Sequence, residues 1–136
     1  MEGEKRKILI VDDDNFLLDM YALKFSQSNF AVFTATDGAQ ALEKLKGNLK
    51  PDVILIDIIM PQMDGFEVLE KIKTDKLCAD AVCIILSNKK DQSDIDRGNA
   101  LGVAGYIIKA NYTPVEVINR VIEILNEKHG GVQKTN

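Results

Sequence analysis

The groups in this sequence best suited to chemistry are three aspartates, a serine and a lysine. Each follows a short apolar run: Asp12 and Asp13 after Ile8 to Val11, Asp57 after Val53 to Ile56, Ser87 after Val82 to Leu86, and Lys109 after Tyr106 to Ile108. Carboxylates brought together repel one another and hold protons more tightly unless a cation intervenes. A small hard cation such as Mg2+, held by one or two carboxylates, a carbonyl and several waters, meets that need. A lysine ammonium and a serine hydroxyl suit phosphoryl oxygens. A carboxylate can act as a nucleophile and form an aspartyl phosphate. The chemistry the set allows is therefore phosphoryl transfer to an aspartate, which asks mostly for positioning and charge neutralisation. Asp57 is the best-placed nucleophile, since its run has the character of a central strand. Each group alone has an ordinary explanation as a cap, a turn former or a snorkelling lysine. Their joint placement is what argues for a site.

That placement depends on the elements. Unbroken apolar runs rich in β-branched residues read as strands buried on both faces of a parallel sheet. Four such strands carry the groups above, and Phe30 to Ala35 reads as another. Helices fall between them. Asp14 or Asn15 caps the first, with Phe16, Met20 and Leu23 as its inward side. Asp37 opens the second, with Gln40 at the return position and Ala41, Leu42 and Leu45 inward. After Asp57, Pro61 prevents further pairing, Gly65 gives backbone freedom, and Asp64 with Glu67 forms a capping box over a helix burying Phe66, Leu69 and Ile72. Asp91 to Leu101 is a weak helix with only Ile95, Ala100 and Leu101 to bury. Thr113-Pro114-Val115-Glu116 is a strong start for the last helix. Its inward stripe is read as Val115, Ile118, Ile122 and Leu125, with Val117, Val121 and Ile124 extending the apolar arc sideways. Ile95, Val117 and Ile124 are accordingly expected on an exposed face for a partner or a second copy. Strict β-α alternation gives an α/β domain over residues 6–128, one doubly wound parallel sheet of five strands with helices on both faces, and a flexible tail over 129–136.

The totals exclude several classes. A net charge of −4 in 136 residues argues against a general nucleic-acid binder. Cys78 and Cys83 have no partners at metal-site spacing and read as reduced thiols of a cytoplasmic protein. The charged start and short first apolar run fit neither a signal segment nor a membrane span. Gly102-Val103-Ala104-Gly105 lacks the dinucleotide fingerprint.

The pattern KILIVDDD, DVILIDIIMPQMDG, IILS and GYIIK resembles the receiver domain of two-component response regulators, over about residues 6 to 128. The resemblance implies a flavodoxin-like strand order of 2-1-3-4-5. It implies that Asp57 is the phospho-acceptor, Asp12 and Asp13 the metal-binding acids, and the Ile59 backbone carbonyl a further Mg2+ ligand. Ser87 corresponds to the switch hydroxyl, Tyr106 to the switch aromatic and Lys109 to the phosphoryl-binding lysine. A histidine kinase or phosphotransfer protein as donor, a downstream protein target and a phosphorylation-dependent homodimer are the implied partners. Two departures stand out. The family usually has Pro after the lysine, often with a cis peptide. Here Ala110 follows, and a non-Pro cis bond costs roughly 2.5–4 kcal/mol, so trans is expected. No output domain follows, as in single-domain receivers. Two other readings remain: a receiver-like binding module that works without phosphorylation, and an Asp-nucleophile phosphatase. The latter places a second Asp two residues after the nucleophile, where this chain has Ile59.

Overall fold

The computed structural model describes residues 4–130. The elements are β1 Arg6–Val11, α1 Asn15–Gln27, β2 Phe30–Ala35, α2 Gly38–Lys46, β3 Val53–Ile56, α3 Gly65–Thr74, β4 Val82–Ser87, α4 Gln92–Ala100, β5 Gly105–Ile108, a 3-10 turn Lys109–Asn111 and α5 Pro114–Gly130. The five strands pair in the order β2-β1-β3-β4-β5, all parallel. The flavodoxin-like order implied by the resemblance is therefore present.

Alternation along the strands divides the core in two, because successive strand side chains point to opposite faces. Ile8, Ile10, Val53, Leu55, Ile84, Leu86 and Ile107 meet buried residues of α1 and α5. Leu9, Val11, Ile54, Ile56 and Ile85 meet α2 and α3 on the other side. All four residues of β3 are buried, which makes the position after it rigid.

The caps form as their chemistry demands. Asp14 accepts from Leu17 N, Asp37 from Gln40 N, and Asp64 from Glu67 N while Glu67 returns a bond to Asp64 N. Thr113 and Glu116 make the same reciprocal pair. The Gln40 side chain departs from expectation and accepts from Thr36 N and Oγ1 instead. Asp91 makes no side-chain cap bond, consistent with a weak α4.

Two expectations are corrected. In α1 the buried residues are Leu18, Tyr21 and Phe25, whereas Phe16 is 78% exposed and Leu23 also faces solvent. The sequence offers two apolar stripes on opposite sides, and the sheet can cover only one. The one it covers lets Phe25 meet Phe30 edge to face, with ring centroids 5.2 Å apart.

In α5, Val117, Ile118, Val121, Ile124 and Leu125 are buried and Val115 is 56% exposed. Val117 and Ile124 are therefore core, not an exposed output face. With 3.6 residues per turn, both lie within about 60° of Val121, whereas Val115 and Ile122 lie about 100–120° away. Ile95 is half-buried.

The helix α5 runs to Gly130, two residues into the stretch expected as a tail. The remainder of that tail lies outside the described residues.

Gly98, the one buried residue of α4, explains how so sparse a helix docks. A Cβ there would stand 2.9 Å from Ile85 Cδ1 and 3.3 Å from Tyr106 Cδ2. Its absence lets the helix backbone lie directly on the Tyr106 ring. No peptide among the described residues is cis, so Lys109–Ala110 is trans as expected.

Candidate functional site

The carboxyl ends of the parallel strands bring the acids together. Val11 of β1 is in register with Ile56 of β3, so Asp12 and Asp57 leave the sheet side by side. Asp57 N donates to Val11 O at 3.0 Å and Asp12 N to Ala35 O at 3.1 Å, which fixes both backbones. Asp13 follows on the exposed side. Carboxylate oxygens of Asp12, Asp13 and Asp57 lie within 4.8 Å of one another.

Lys109 reaches this cluster from the end of β5, across β4. Its Nζ donates to Asp12 Oδ2 and to Asp57 Oδ2, each at 2.8 Å. The second oxygens are also engaged: Asp12 Oδ1 accepts from Asp14 N at 2.9 Å and Asp57 Oδ1 from Ile59 N at 3.1 Å. Burial pushes the Asp12 carboxyl up from its ordinary range, and the bonds from Lys109 and Asp14 N only partly offset this. Burial alone would lower Lys109, but its bonds to Asp12 and Asp57 outweigh that and raise it. The ammonium is thus firmly charged. One positive charge faces three carboxylates, a deficit that a divalent cation would fill. An all-oxygen donor set is the kind that Mg2+ takes.

Ser87 ends β4 and is fully buried. Its Oγ accepts from Lys89 N at 3.3 Å and makes no bond to the acids. Tyr106 lies half-buried on β5, and its hydroxyl donates to Lys89 O at 2.6 Å. Desolvation, with the nearby charges of Asp94, Asp57 and Asp91, pushes that phenol up to about 12, so it stays a donor. Ile59 gives its N–H to Asp57 while its side chain is 55% exposed.

The structure therefore joins Lys109 directly to Asp12 and Asp57, places Asp13 beside them, and sets Ser87 and Tyr106 around the adjoining loop. Sequence reasoning missed Asn88, whose Oδ1 accepts from Ala110 N at 2.9 Å. The available signal was an Asn directly after Ser87, a residue type that bonds loop backbone. Gly65 was read only as a source of backbone freedom. A Cβ there would collide with the Asp57 carbonyl and stand 2.9 Å from Ile58 Cα, so its role is close approach. A groove of about 420 Å3, lined by Ile72, Leu77, Cys78 and Leu101 among others, lies at the opposite strand ends and contains none of the site groups.

Residues 8–122 match the response regulator receiver domain. The chain is 35% identical over 120 residues to the alkaline phosphatase synthesis transcriptional regulatory protein PhoP of Bacillus subtilis, covering 88% of this chain and 48% of that protein. It is 31% identical over 121 residues to the DNA-binding response regulator MtrA of Mycobacterium tuberculosis, covering 89% of this chain and 51% of that one. It thus spans about half the length of these relatives. Among solved structures, the chemotaxis protein CheY4 of Vibrio cholerae superposes with a TM-score of 0.82 at 26% identity, covering 89% of this chain and 99% of that one. A CheY-like receiver domain protein of Methanospirillum hungatei superposes with a TM-score of 0.84 at 27% identity, covering 94% and 99% respectively. With its sheet order, acid cluster and bridging lysine all in place, this chain belongs to the response regulator receiver domain family, a class of signalling modules.

Proposed function

We propose that this chain is a phosphorylation-activated switch whose phospho-acceptor is Asp57. The observation that carries the reading is the Lys109 ammonium held between Asp12 and Asp57, with Asp13 beside them. Asp57 supplies the attacking carboxylate oxygen. The P–N bond of a donor phosphohistidine breaks as the new P–O bond forms, and the imidazole leaves with the bonding pair and takes up a proton. Asp12, Asp13, Asp57 and the Ile59 carbonyl would hold Mg2+, which supplies neutralisation of phosphoryl charge. Lys109 supplies a further positive charge for the phosphoryl oxygens, with Ser87 as the hydroxyl donor that follows it.

Withdrawal of the Ser87 hydroxyl toward the phosphoryl group would free Lys89 N and disturb the loop that Tyr106 holds. That couples the site to α4 and β5, where Ile95 is only half-buried. The burial of Val117 and Ile124 leaves this narrower face for a downstream protein target or a second copy. A histidine kinase or phosphotransfer protein is the donor. No helix among the described residues is long and apolar enough to cross a membrane, in keeping with a cytoplasmic setting.

Incubation with acetyl phosphate and Mg2+, followed by intact-protein mass spectrometry, tests the assignment. One phosphoryl group is expected on wild-type protein, none on Asp57→Asn and none when Mg2+ is chelated. Equal labelling of Asp57→Asn overturns it.

A further inference from the structure

We infer that Asn88 is a positioning residue for Lys109, acting through a latch between the two loops that carry Ser87 and Lys109. This rests on the reading of Asp57 as phospho-acceptor. The latch is the 2.9 Å bond from Ala110 N to Asn88 Oδ1. A backbone N–H can only donate, so the Asn88 amide must present its oxygen here. Ala110 lies inside the 3-10 turn Lys109–Asn111, and it directly follows the residue whose Nζ is held between Asp12 and Asp57. Asn88 directly follows Ser87. The bond therefore ties the side chain of the residue immediately after Ser87 to the backbone immediately after Lys109.

The backbone of the loop on the Asn88 side is otherwise held by two bonds of unequal quality, beside a 3.5 Å contact from Lys89 Nζ to Asp94 Oδ2. Tyr106 Oη donates to Lys89 O at 2.6 Å, and Lys89 N donates to Ser87 Oγ at 3.3 Å. The longer bond is the weaker. It is also the one surrendered when the Ser87 side chain rotates to carry its hydroxyl toward a phosphoryl oxygen. Once it is surrendered, Asn88 transmits any resettling of the loop to the Lys109 turn, so Ser87 and Lys109 move in step. The N–H that makes this possible exists because residue 110 is alanine, since a proline has no donor.

Four variants test the latch: Asn88→Ala removes the acceptor, Asn88→Asp keeps one, Ala110→Pro removes the donor, and Asn88→Ala is combined with Ala110→Pro. Asn88 is exposed, so its substitution leaves the core intact, and thermal unfolding checks each protein. The first readout is the acetyl phosphate labelling rate of Asp57, resolved into maximal rate and half-saturation, beside Mg2+ affinity from calorimetry. Asn88→Ala should lower the maximal rate roughly threefold to tenfold, the span of one hydrogen bond, with Mg2+ affinity unchanged. Asn88→Asp should restore most of it. Ala110→Pro should match Asn88→Ala, and the double variant should be no slower than either, because both remove the same bond.

The second readout needs no phosphate. The Lys109 ammonium signal in nitrogen-15 NMR, sharpened by its two carboxylate partners, should broaden in Asn88→Ala and return in Asn88→Asp. A wild-type rate with an unchanged signal in Asn88→Ala overturns the latch, as do losses that multiply in the double variant. Absence of label on wild-type protein overturns the reading of Asp57, and the ammonium signal then decides the latch alone.

Discussion

Lys109 Nζ lies 2.8 Å from Asp57 Oδ2, although the two residues stand 52 positions apart in the chain. This ion pair occupies the position of the proposed reaction, and it sets the charge balance of the whole site. Replacing Lys109 by Met leaves the carboxylates of Asp12, Asp13 and Asp57 without their cation. Breaking a fully buried pair costs about 3–5 kcal/mol. Here Asp13 is exposed and Asp12 can take a proton, so a loss of about 1–3 kcal/mol is expected in metal-free buffer at pH 7.5. The loss should shrink as pH falls, because protonation of the raised Asp12 carboxyl relieves the repulsion. Added Mg2+ should offset much of it. Urea titrations at pH 5 and 7.5, with and without Mg2+, measure all three effects.

The lifetime of the phosphoryl group is expected to be long. Attack by water needs a group that orients it, and the exposed Ile59 side chain beside Asp57 offers no hydrogen bond. Ile59→Asn supplies one and should speed loss of phosphate by roughly tenfold, the upper span of a single bond. Decay of the labelled protein after removal of acetyl phosphate gives the rate. An unchanged rate places the limiting step elsewhere.

Gly65→Ala should be costly, although Gly65 begins a helix. The atoms a Cβ would meet are the Asp57 carbonyl oxygen and Ile58 Cα, both backbone. Neither can turn aside as a side-chain tip would. Overpacking of this kind costs roughly 1–3 kcal/mol or more. The displaced segment is the one bearing Asp57, so labelling should slow in parallel with the loss seen by urea unfolding.

Two valines of α5, two residues apart, should respond in opposite ways to lysine. Val117 is 0% exposed and Val115 is 56% exposed. Val117→Lys buries an unpaired charge and should cost upwards of about 4 kcal/mol, a large part of a typical total stability. Val115→Lys should change stability by less than about 0.5 kcal/mol. Circular dichroism melts of the two variants distinguish the observed helix phase from its alternative.

Burial raises the Cys83 thiol from its ordinary 9.0 up to about 12, with Cys78 adding a smaller push. The fold therefore favours the neutral thiol. This contribution to stability is complete below pH 9 and is lost as pH rises toward 12. Cys83→Ala should flatten the fall in stability across that window. At pH 8 the folded protein should leave Cys83 unmodified by iodoacetamide, since a rise of this size lowers the thiolate fraction by about a thousandfold. In urea the same residue should react.

The strands and caps were legible because their signals are local. The runs Val53 to Ile56 and Ile8 to Val11 admit one interpretation, and Asp64 with Glu67 closes its capping box within four residues. That Asp12 and Asp57 share one sheet edge followed once all strands were parallel, but their adjacency needed the order 2-1-3-4-5, which came from the resemblance alone. Helix phase was not legible, because α1 and α5 are apolar on more than one side and only the sheet decides which side it covers. Phe16 and Val115 were placed inward, and Val117 and Ile124 outward, for that reason. Asn88 escaped notice because its bond depends on Ala110, 22 positions away, lying across from it.

The contact between Lys109 and Asp12 joins residues 97 positions apart, about three-quarters of the described chain. A folding chain that has paired β1 with β3 but has not yet added β5 must crowd its acids without their ammonium. Such a partly assembled sheet is penalised electrostatically, and docking of β5 removes the penalty. Charge thereby discourages half-folded species and makes the last strand's arrival cooperative with the first pairings. Divalent cation should speed refolding as well as stabilise the product, and a chevron recorded with Mg2+ should shift on its folding arm.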